Sequence, residues 1–294
     1  RWSVTTDTDA DAYDLLTRRA TEVITDEELR ELAADPEGKR AYVGYEPSGV
    51  LHLGHMLTAN KLLDLQAAGM EVVILLADVH AYLNGKGTFE EIRETGERMR
   101  EQFLAYGLDP EQTEFVYGSE FQTDEEYALD LHELELSTTL NRARRAMAEI
   151  QSGDTAKVSH VVYPLMQALD IEYLDVDVAM GATDQRKIHM LAREALPKIG
   201  YRKPTCLHHP LVVSLQGTEK MSSSKPKTMF PLHASRETVV ERIEDAYCPQ
   251  GELEDNPIIQ ICQFHIFGDD EELHIERPDE YGGDIHYETQ EELE

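Results

Sequence analysis

Short apolar runs alternate with longer amphipathic stretches along most of this chain, and that alternation limits its fold more than any other feature. The segments "RAYVGYE" (40–46), "EVVILLAD" (71–78), "TEFVYGSEF" (113–121), "LDVDVAMG" (174–181) and "HPLVVSL" (209–215) read as strands. The second is apolar without alternation, as a parallel strand covered on both faces is. Between the strands, 55–69, 88–106, 124–150, 156–172 and 184–196 carry helical periodicity. This order predicts an α/β fold with a mostly parallel sheet, in which ligands sit at the carboxyl ends of strands. From about residue 236, in "SRETVVERIEDAYCPQG", a smaller, mainly helical domain is expected to begin.

Charge is the second constraint. Lys and Arg number 27 against 58 Asp and Glu, a net charge of −31, and the carboxylates run through predicted helices and loops alike. Such a balance suits either a strongly soluble acidic protein or one adapted to molar salt, where the Debye length is about 3 Å and self-repulsion is screened. Under the second reading, falling pH or low salt unfolds the chain. No apolar run approaches the ~20 residues needed to cross a bilayer, and the acidic N-terminus lacks the regions of a secretory signal. Three scattered cysteines, Cys206, Cys248 and Cys262, form no Cys-x-x-Cys pair. They argue for reduced thiols in a cytoplasm and against a zinc ribbon.

The first strand leads into "EPSGVLHLGHM" (46–56). Alternation puts Tyr42, Gly44 and Glu46 on one face of that strand, and a mid-strand glycine often marks a close approach of ligand or backbone. After the turn at Pro47-Ser48-Gly49 a helix starts near His52 and His55. A helix N-terminus favours anions; the two imidazoles add N–H donors there, and Gly54 leaves room for a phosphate or adenine. Alone, His-x-x-His at a helix start is equally a capping arrangement or a weak metal pair. The loop "GTEKMSSSKPK" (217–227) gathers Lys220, Lys225, Lys227 and three serines, with Met221 and Met229 as its apolar anchors. Mobility is expected of it, and in so acidic a chain the lysines call for an anionic partner. Lysines that close over a polyphosphate stabilise charge developing in a transition state, whereas an isolated Lys/Ser loop is more often plain surface.

Together, "HLGH" and "KMSSS" resemble the HIGH and KMSKS signatures of class I aminoacyl-tRNA synthetases, with Leu for Ile and Ser for the second Lys; Lys225 can supply that second charge. The resemblance implies ATP with magnesium, attack of an amino-acid carboxylate on the α-phosphate, and transfer of the acyl group to the terminal ribose of a tRNA. It implies stabilisation of the transferring nucleotide by His52, His55, Lys220 and Lys225. It implies an ATP site lined by Gly44, Glu46, Gly54, Met221, Ser222, Ser223 and Ser224, with no metal ligand from the protein.

In "YPLMQALDIEYL" (163–174), Tyr163, Gln167 and Asp170 fall at i, i+4 and i+7 on one helical face, with Pro164 fitting the first turn. Polar stripes of this kind are usually solvated, but Val161, Val162, Leu165, Met166 and Leu169 surround this one. Gln185 opens the helix beyond the fourth strand. Tyr163, Gln167 and Gln185 can hold an ammonium, and Tyr42 with Asp170 a substrate hydroxyl. This arrangement closely resembles archaeal and eukaryotic tyrosyl-tRNA synthetases, and the match runs through "GYEPSG", "LLADVHAYLN", "YGSEFQ", "TTLNRARRAM", "QRKIHMLARE", "KMSSSK" and "AYCP". In that family the matching tyrosine and aspartate contact the substrate phenol. His80 and Gln122 line the tyrosine pocket by the same resemblance; alone, each is an ordinary loop or core residue. A site built to bind a hydroxyl leaves polar groups unpaired when the hydroxyl is missing, which is how it rejects phenylalanine.

For tRNA(Tyr), "NRARRAM" offers Arg142, Arg144 and Arg145 on a helix, and Arg186 and Lys187 follow Gln185. The resemblance implies acceptor-stem contacts from Arg145, Arg186 and Lys187; helical salt bridges to nearby glutamates are the plainer reading. It further implies a Rossmann-type catalytic domain over 1–215 with a helical insertion around 84–150 carrying a homodimer contact. A signature loop and linker follow at 216–235, and 236–294 is the start of an anticodon-binding domain that stops short of the family's last helices. The expected function is tyrosine–tRNA ligation. A tryptophanyl-type enzyme, or a synthetase-like RNA-binding protein without catalysis, is the alternative.

Overall fold

A computed structural model describes residues 11–148, 157–217, 221, 225–269 and 272–294. The chain runs α1 (Ala12–Thr17), β1 (Glu22–Ile24), α2 (Asp26–Ala33), β2 (Arg40–Tyr45), α3 (Leu53–Ala67), β3 (Glu71–Leu76), α4 (Asp78–Leu83) and α5 (Phe89–Tyr106). It continues through β4 (Thr113–Tyr117), α6 (Glu125–Ser137), α7 (Leu140–Ala146), α8 (Ser159–Tyr173), β5 (Val178–Ala182), α9 (Arg186–Ala195) and β6 (Thr205–His209). Last come α10 (Arg236–Glu244), α11 (Pro257–His265), β7 (Leu273–Ile275), β8 (Ile285–Tyr287) and α12 (Gln290–Leu293).

Two compact units divide these elements, one including Asp9–Gly49 and Lys61–Pro210, the other Val50–Asn60 and Leu211–Glu294. The first holds a six-stranded sheet of order β1-β6-β5-β2-β3-β4. All neighbours are parallel except the edge strand β1, which runs against β6. The chain winds outward from β2 to β3 and β4, then returns to build β5 and β6 on the other side. The order therefore reverses between β2 and β5, where Tyr42 registers against Ala179, and the carboxyl ends beside such a reversal form a crevice. Strand β3 is buried from Val72 to Leu76, as its unbroken apolar run requires. The second unit has its own core, Leu53, Leu57, Val212, Leu215, Met221 and Met229, and the two-stranded β7–β8 ribbon.

The structure departs from the sequence reading in several places. The last strand of the large sheet is Thr205–His209, not 209–215. Pro210 has no N–H to continue the ladder, and the run Leu211–Leu215 that looked like a strand serves the core of the other unit. His208 and His209 disguised the true strand, yet both are buried. The stretch 124–150 is two helices, α6 and α7, with Thr138 extended and the Thr139 side chain capping α7 through the Arg142 N–H; residues 149–150 lie outside those described. Strand β1 and helices α1 and α2 escaped the reading, although "TDEE" (25–28) is a capping-box pattern and Thr25 and Glu28 make both of its bonds. Pro164 sits in the second turn of α8, not the first.

Candidate functional site

Strand β2 and the carboxyl ends of β3, β4 and β5 each deliver a residue singled out above. Tyr42 lies on β2 itself, His80 two residues into α4 after β3, Gln122 after the turn that follows β4, and Gln185 just before α9 after β5. Helix α8 supplies the rest. It is buried on every side from Tyr163 to Ile171, so the polar face of Tyr163, Gln167 and Asp170 is an interior one. That is deeper burial than the spacing alone indicated.

These side chains form one polar network. Asp170 is wholly buried. Its Oδ1 accepts from Gln122 Nε2 at 2.7 Å and from the Tyr127 hydroxyl at 2.8 Å. Gln122 Nε2 is also 3.4 Å from His80 Nδ1, and the His80 ring stands edge-on to Tyr163 at 4.4 Å. Gln167 Nε2 donates to Gln185 Oε1 at 3.0 Å. Around this network four buried polar atoms have no hydrogen-bond partner among the described residues: the Tyr42 hydroxyl, Asp170 Oδ2, His80 Nε2 and Gln122 Oε1. Buried polar groups are normally satisfied, because an unmade bond costs about 1–3 kcal/mol. Four such atoms together mark a place prepared for a polar guest.

Electrostatics agrees with the geometry. Burial pushes the Asp170 carboxyl up to about 7, against the pull of its Gln122 and Tyr127 bonds. Burial, and then the Asp170 charge, hold the Tyr42 hydroxyl well above its usual range. Tyr163 is raised by burial and by the carboxylate of Glu46 beside it, while Glu46 Oε1 accepts from Asn84 Nδ2 at 2.5 Å. Burial pushes His80 down to about 4, so it is neutral. Gly44, next but one to Tyr42, is exposed; a Cβ there would stand 3.0 Å from the Tyr42 hydroxyl. Sequence reasoning missed Tyr127 and Asn84. Tyr127 shares its buried face of α6 with Leu134, a seven-residue spacing that was visible, but nothing in the sequence says that its hydroxyl meets Asp170, 43 residues away.

The unit that includes Val50–Asn60 and Leu211–Glu294 holds the second group. The His52 backbone N–H donates to His55 Nδ1 at 3.1 Å, and the Gly54 N–H to His52 Nδ1 at 3.1 Å. With both Nδ1 atoms accepting, the ring protons sit on Nε2. Burial lowers His52 to about 4; burial and its neighbour His52 lower His55 to about 3. Both are neutral N–H donors, not cations. A Cβ on Gly54 would stand 3.1 Å from the His52 ring and 3.3 Å from Met221 Cβ, so a larger residue there requires these neighbours to give by a few tenths of an ångström. Met221 thus packs directly on the "HLGH" turn, which also pairs with the chain beyond the lysine loop through Leu53 N–H to Phe230 O at 3.2 Å and Leu232 N–H to Leu51 O at 3.0 Å. Lys225 is exposed. Lys220, Ser222, Ser223 and Ser224 lie outside the described residues.

The basic residues on the first unit divide. Arg142 Nε binds Glu194 at 2.7 Å, and Arg186 Nε lies 2.7 and 2.9 Å from the two carboxylate oxygens of Glu22. Ion pairs are therefore present, but with distant partners in sequence rather than helical neighbours. Arg144 and Arg145 are exposed, and Lys187 is half-buried.

Three comparisons bear on this geometry. The family described as tRNA synthetases class I (W and Y) matches residues 36–286. A tyrosine–tRNA ligase of Halobacterium salinarum is 62% identical over 288 residues, covering 96% of this chain and 88% of its own length. One from Halorubrum lacusprofundi is 59% identical, covering 97% of this chain and 89% of its own. The crystal structure of a tyrosyl-tRNA synthetase from Archaeoglobus fulgidus, complexed with L-tyrosine, superposes with a TM-score of 0.90 at 51% identity, covering 99% of this chain and 89% of that one.

Proposed function

The chain belongs to the class I tRNA synthetases for tryptophan and tyrosine, and from that premise we propose how its residues divide the work. It is a tyrosine–tRNA ligase: with ATP as a substrate it joins tyrosine to tRNA. The expectations of an α/β fold with a mostly parallel sheet, of the synthetase family and of its activity hold. In our assignment, Tyr42 and Asp170 Oδ2 bind the phenol hydroxyl, with His80 and Gln122 beside them. Tyr163, Gln167 and Gln185 hold the ammonium. His52, His55, Lys220 and Lys225 stabilise the nucleotide, which rests on Gly44, Glu46, Gly54, Met221 and Ser222–Ser224. The observation that carries the reading is the buried pair of Tyr42 hydroxyl and Asp170 Oδ2, neither with a hydrogen-bond partner among the described residues, His80 Nε2 standing 3.8 Å from Oδ2. A phenol O–H satisfies both, donating to the carboxylate and accepting from the tyrosine.

A tyrosine carboxylate oxygen attacks the α-phosphorus, and the bond to the β-phosphate oxygen breaks to release pyrophosphate. A ribose hydroxyl of tRNA then attacks the acyl carbon and AMP leaves. The protein contributes position and charge stabilisation rather than a covalent intermediate. The neutral imidazoles donate from Nε2–H without carrying a positive charge. Magnesium, if carried on the triphosphate, would supply neutralisation of its charge, and no residue of the chain is assigned to hold it. ATP–pyrophosphate exchange supported by tyrosine, and not by tryptophan or phenylalanine, tests the assignment; exchange with tryptophan, or with none of them, refutes it. The charge of −31 and relatives from halophilic archaea go together, so the exchange belongs in molar potassium chloride, and dilute buffer should abolish it by unfolding the chain.

Acceptor-stem contact is assigned to Arg145, Arg186 and Lys187. Charging should fall at least about tenfold when Arg145 and Arg186 are both replaced by alanine, with exchange intact; undiminished charging removes both from that role. A homodimer is supported by apolar residues left on α6 and α7, Leu129, Leu136 and Leu140, of which Leu136 is 89% exposed. Residues 1–215 with an insertion at 84–150, the loop and linker at 216–235, and the start of an anticodon-binding domain at 236–294 remain our domain proposal. Free thiols at Cys206, Cys248 and Cys262 support a cytoplasmic location; among the described residues no helix is long and apolar enough to cross a membrane.

A further inference from the structure

We propose that Asp78 is a positioning residue for tyrosine binding, a buried splint between the loops after β3 and β4 that brings His80 and Gln122 to Asp170. The proposal rests on the tyrosine-pocket reading above. The parallel ladder joining β3 to β4 ends at the pair Leu76 and Tyr117. Two residues farther along each chain, Asp78 and Ser119 take over. Asp78 Oδ1 accepts from the Ser119 backbone N–H at 2.8 Å and from its neighbour Val79 N–H at 2.9 Å; Oδ2 accepts from the Ser119 hydroxyl at 2.5 Å. Arg93 of α5 closes the arrangement, with Nη2 donating to Ser119 Oγ at 2.7 Å and Nε 3.6 Å from Asp78 Oδ2. The same guanidinium lies over the Tyr117 ring.

Asp78 is wholly buried, and a buried carboxylate persists only where its lone pairs are filled. Here the two bonds to Ser119 fix the distance between two strand ends that the sheet no longer holds, while Val79 and Arg93 occupy the remaining lone pairs. Each end then supplies one pocket residue: His80 two positions after Asp78, and Gln122 three positions after Ser119. Their side chains meet, Gln122 Nε2 lying 3.4 Å from His80 Nδ1 and 2.7 Å from Asp170 Oδ1. Gln122 orients Asp170 only while its loop stays in register with that of His80. Asp78 touches none of the assigned substrate-binding atoms, so its effect passes through these two residues.

The test is ATP–pyrophosphate exchange by the full chain in molar potassium chloride, with rates expressed per titrated active site, for Asp78→Asn, Ser119→Ala and Asp170→Asn. KM for tyrosine should rise about tenfold in Asp78→Asn and about threefold in Ser119→Ala, with KM for ATP and kcat within about twofold of the parent. A merely structural role lowers the active fraction and leaves the tyrosine KM alone. Ser119→Ala keeps both Oδ1 bonds, so it decides the matter by the same readout if Asp78→Asn fails to fold. An unchanged tyrosine KM in the folded variants, with Asp170→Asn raising it, overturns the splint and spares the pocket. Equal rises in both KM values overturn it as well. If Asp170→Asn also leaves the tyrosine KM unchanged, the pocket reading falls and takes the splint with it.

Discussion

Replacing Asp170 with alanine should reduce the ratio of kcat/KM for tyrosine over that for phenylalanine by about a hundredfold, equivalent to ~2.7 kcal/mol. In the proposed assignment, phenylalanine would leave the Tyr42 hydroxyl and Asp170 Oδ2 buried and unbonded, while tyrosine would fill both. Without the carboxylate, tyrosine loses its charged acceptor and phenylalanine no longer strands it, so the two substrates converge. The change also frees the Gln122 and Tyr127 donors that Oδ1 accepts from, so weaker binding of both amino acids is expected alongside the lost selectivity. An unchanged ratio in steady-state exchange removes Asp170 from the role.

The same carboxyl should set a pH profile. Burial raises Asp170 from the ordinary carboxylate range to about 7, so the native state binds its proton more tightly than the unfolded chain does. The stability this group contributes is complete below pH ~4 and is lost as pH rises through about 7. Tyrosine binding runs the other way, since the ionised carboxylate is the stronger acceptor. The tyrosine kcat/KM should climb toward a plateau above about pH 7, and Asp170→Asn should flatten it. His52, His55 and His80, lowered to about 4, 3 and 4, are already neutral across that window. An inflection near 7 that survives in Asp170→Asn assigns the titration elsewhere.

The second large effect is expected at His55. Its alanine variant should lose about a hundredfold in kcat for exchange, with the tyrosine KM within about threefold of the parent. The reason lies in the tautomer. His55 Nδ1 is committed to the His52 backbone N–H, which fixes its proton on Nε2 as a donor aimed by the backbone rather than by a flexible side chain. A donor that strengthens only as charge develops on the transferring phosphate lowers the barrier without tightening the ground state. If kcat holds and only KM for ATP rises, His55 binds nucleotide uniformly and the transition-state role is wrong.

Much of this was legible in the sequence because local rules and tertiary structure agreed. "EVVILL" reads as a doubly covered strand and is one. The i, i+4, i+7 pattern of Tyr163, Gln167 and Asp170 depends only on helix geometry, and α8 keeps it. Gly54 of "HLGH", expected to leave room for a phosphate or adenine, has the His52 ring and Met221 Cβ as its near neighbours. The failures share a different cause. Strand β6 was misplaced because His208 and His209 look polar, and only the fold shows His208 stacked on His189 with its Nε2 3.0 Å from His189 Nδ1. Tyr127 on Asp170, Asp78 on Ser119 and Arg186 on Glu22 join residues 43, 41 and 164 positions apart. No periodicity carries such pairings. They are decided by which strand ends the sheet order sets side by side.

The position of the phenol decides the assignment of Tyr42 and Asp170, and a crystal structure with L-tyrosine and a non-hydrolysable ATP analogue measures it directly. The phenol oxygen is predicted within about 3 Å of both the Tyr42 hydroxyl and Asp170 Oδ2, with the ammonium among Tyr163, Gln167 and Gln185. A phenol oxygen more than about 4 Å from Asp170, bonded to other groups, would contradict it.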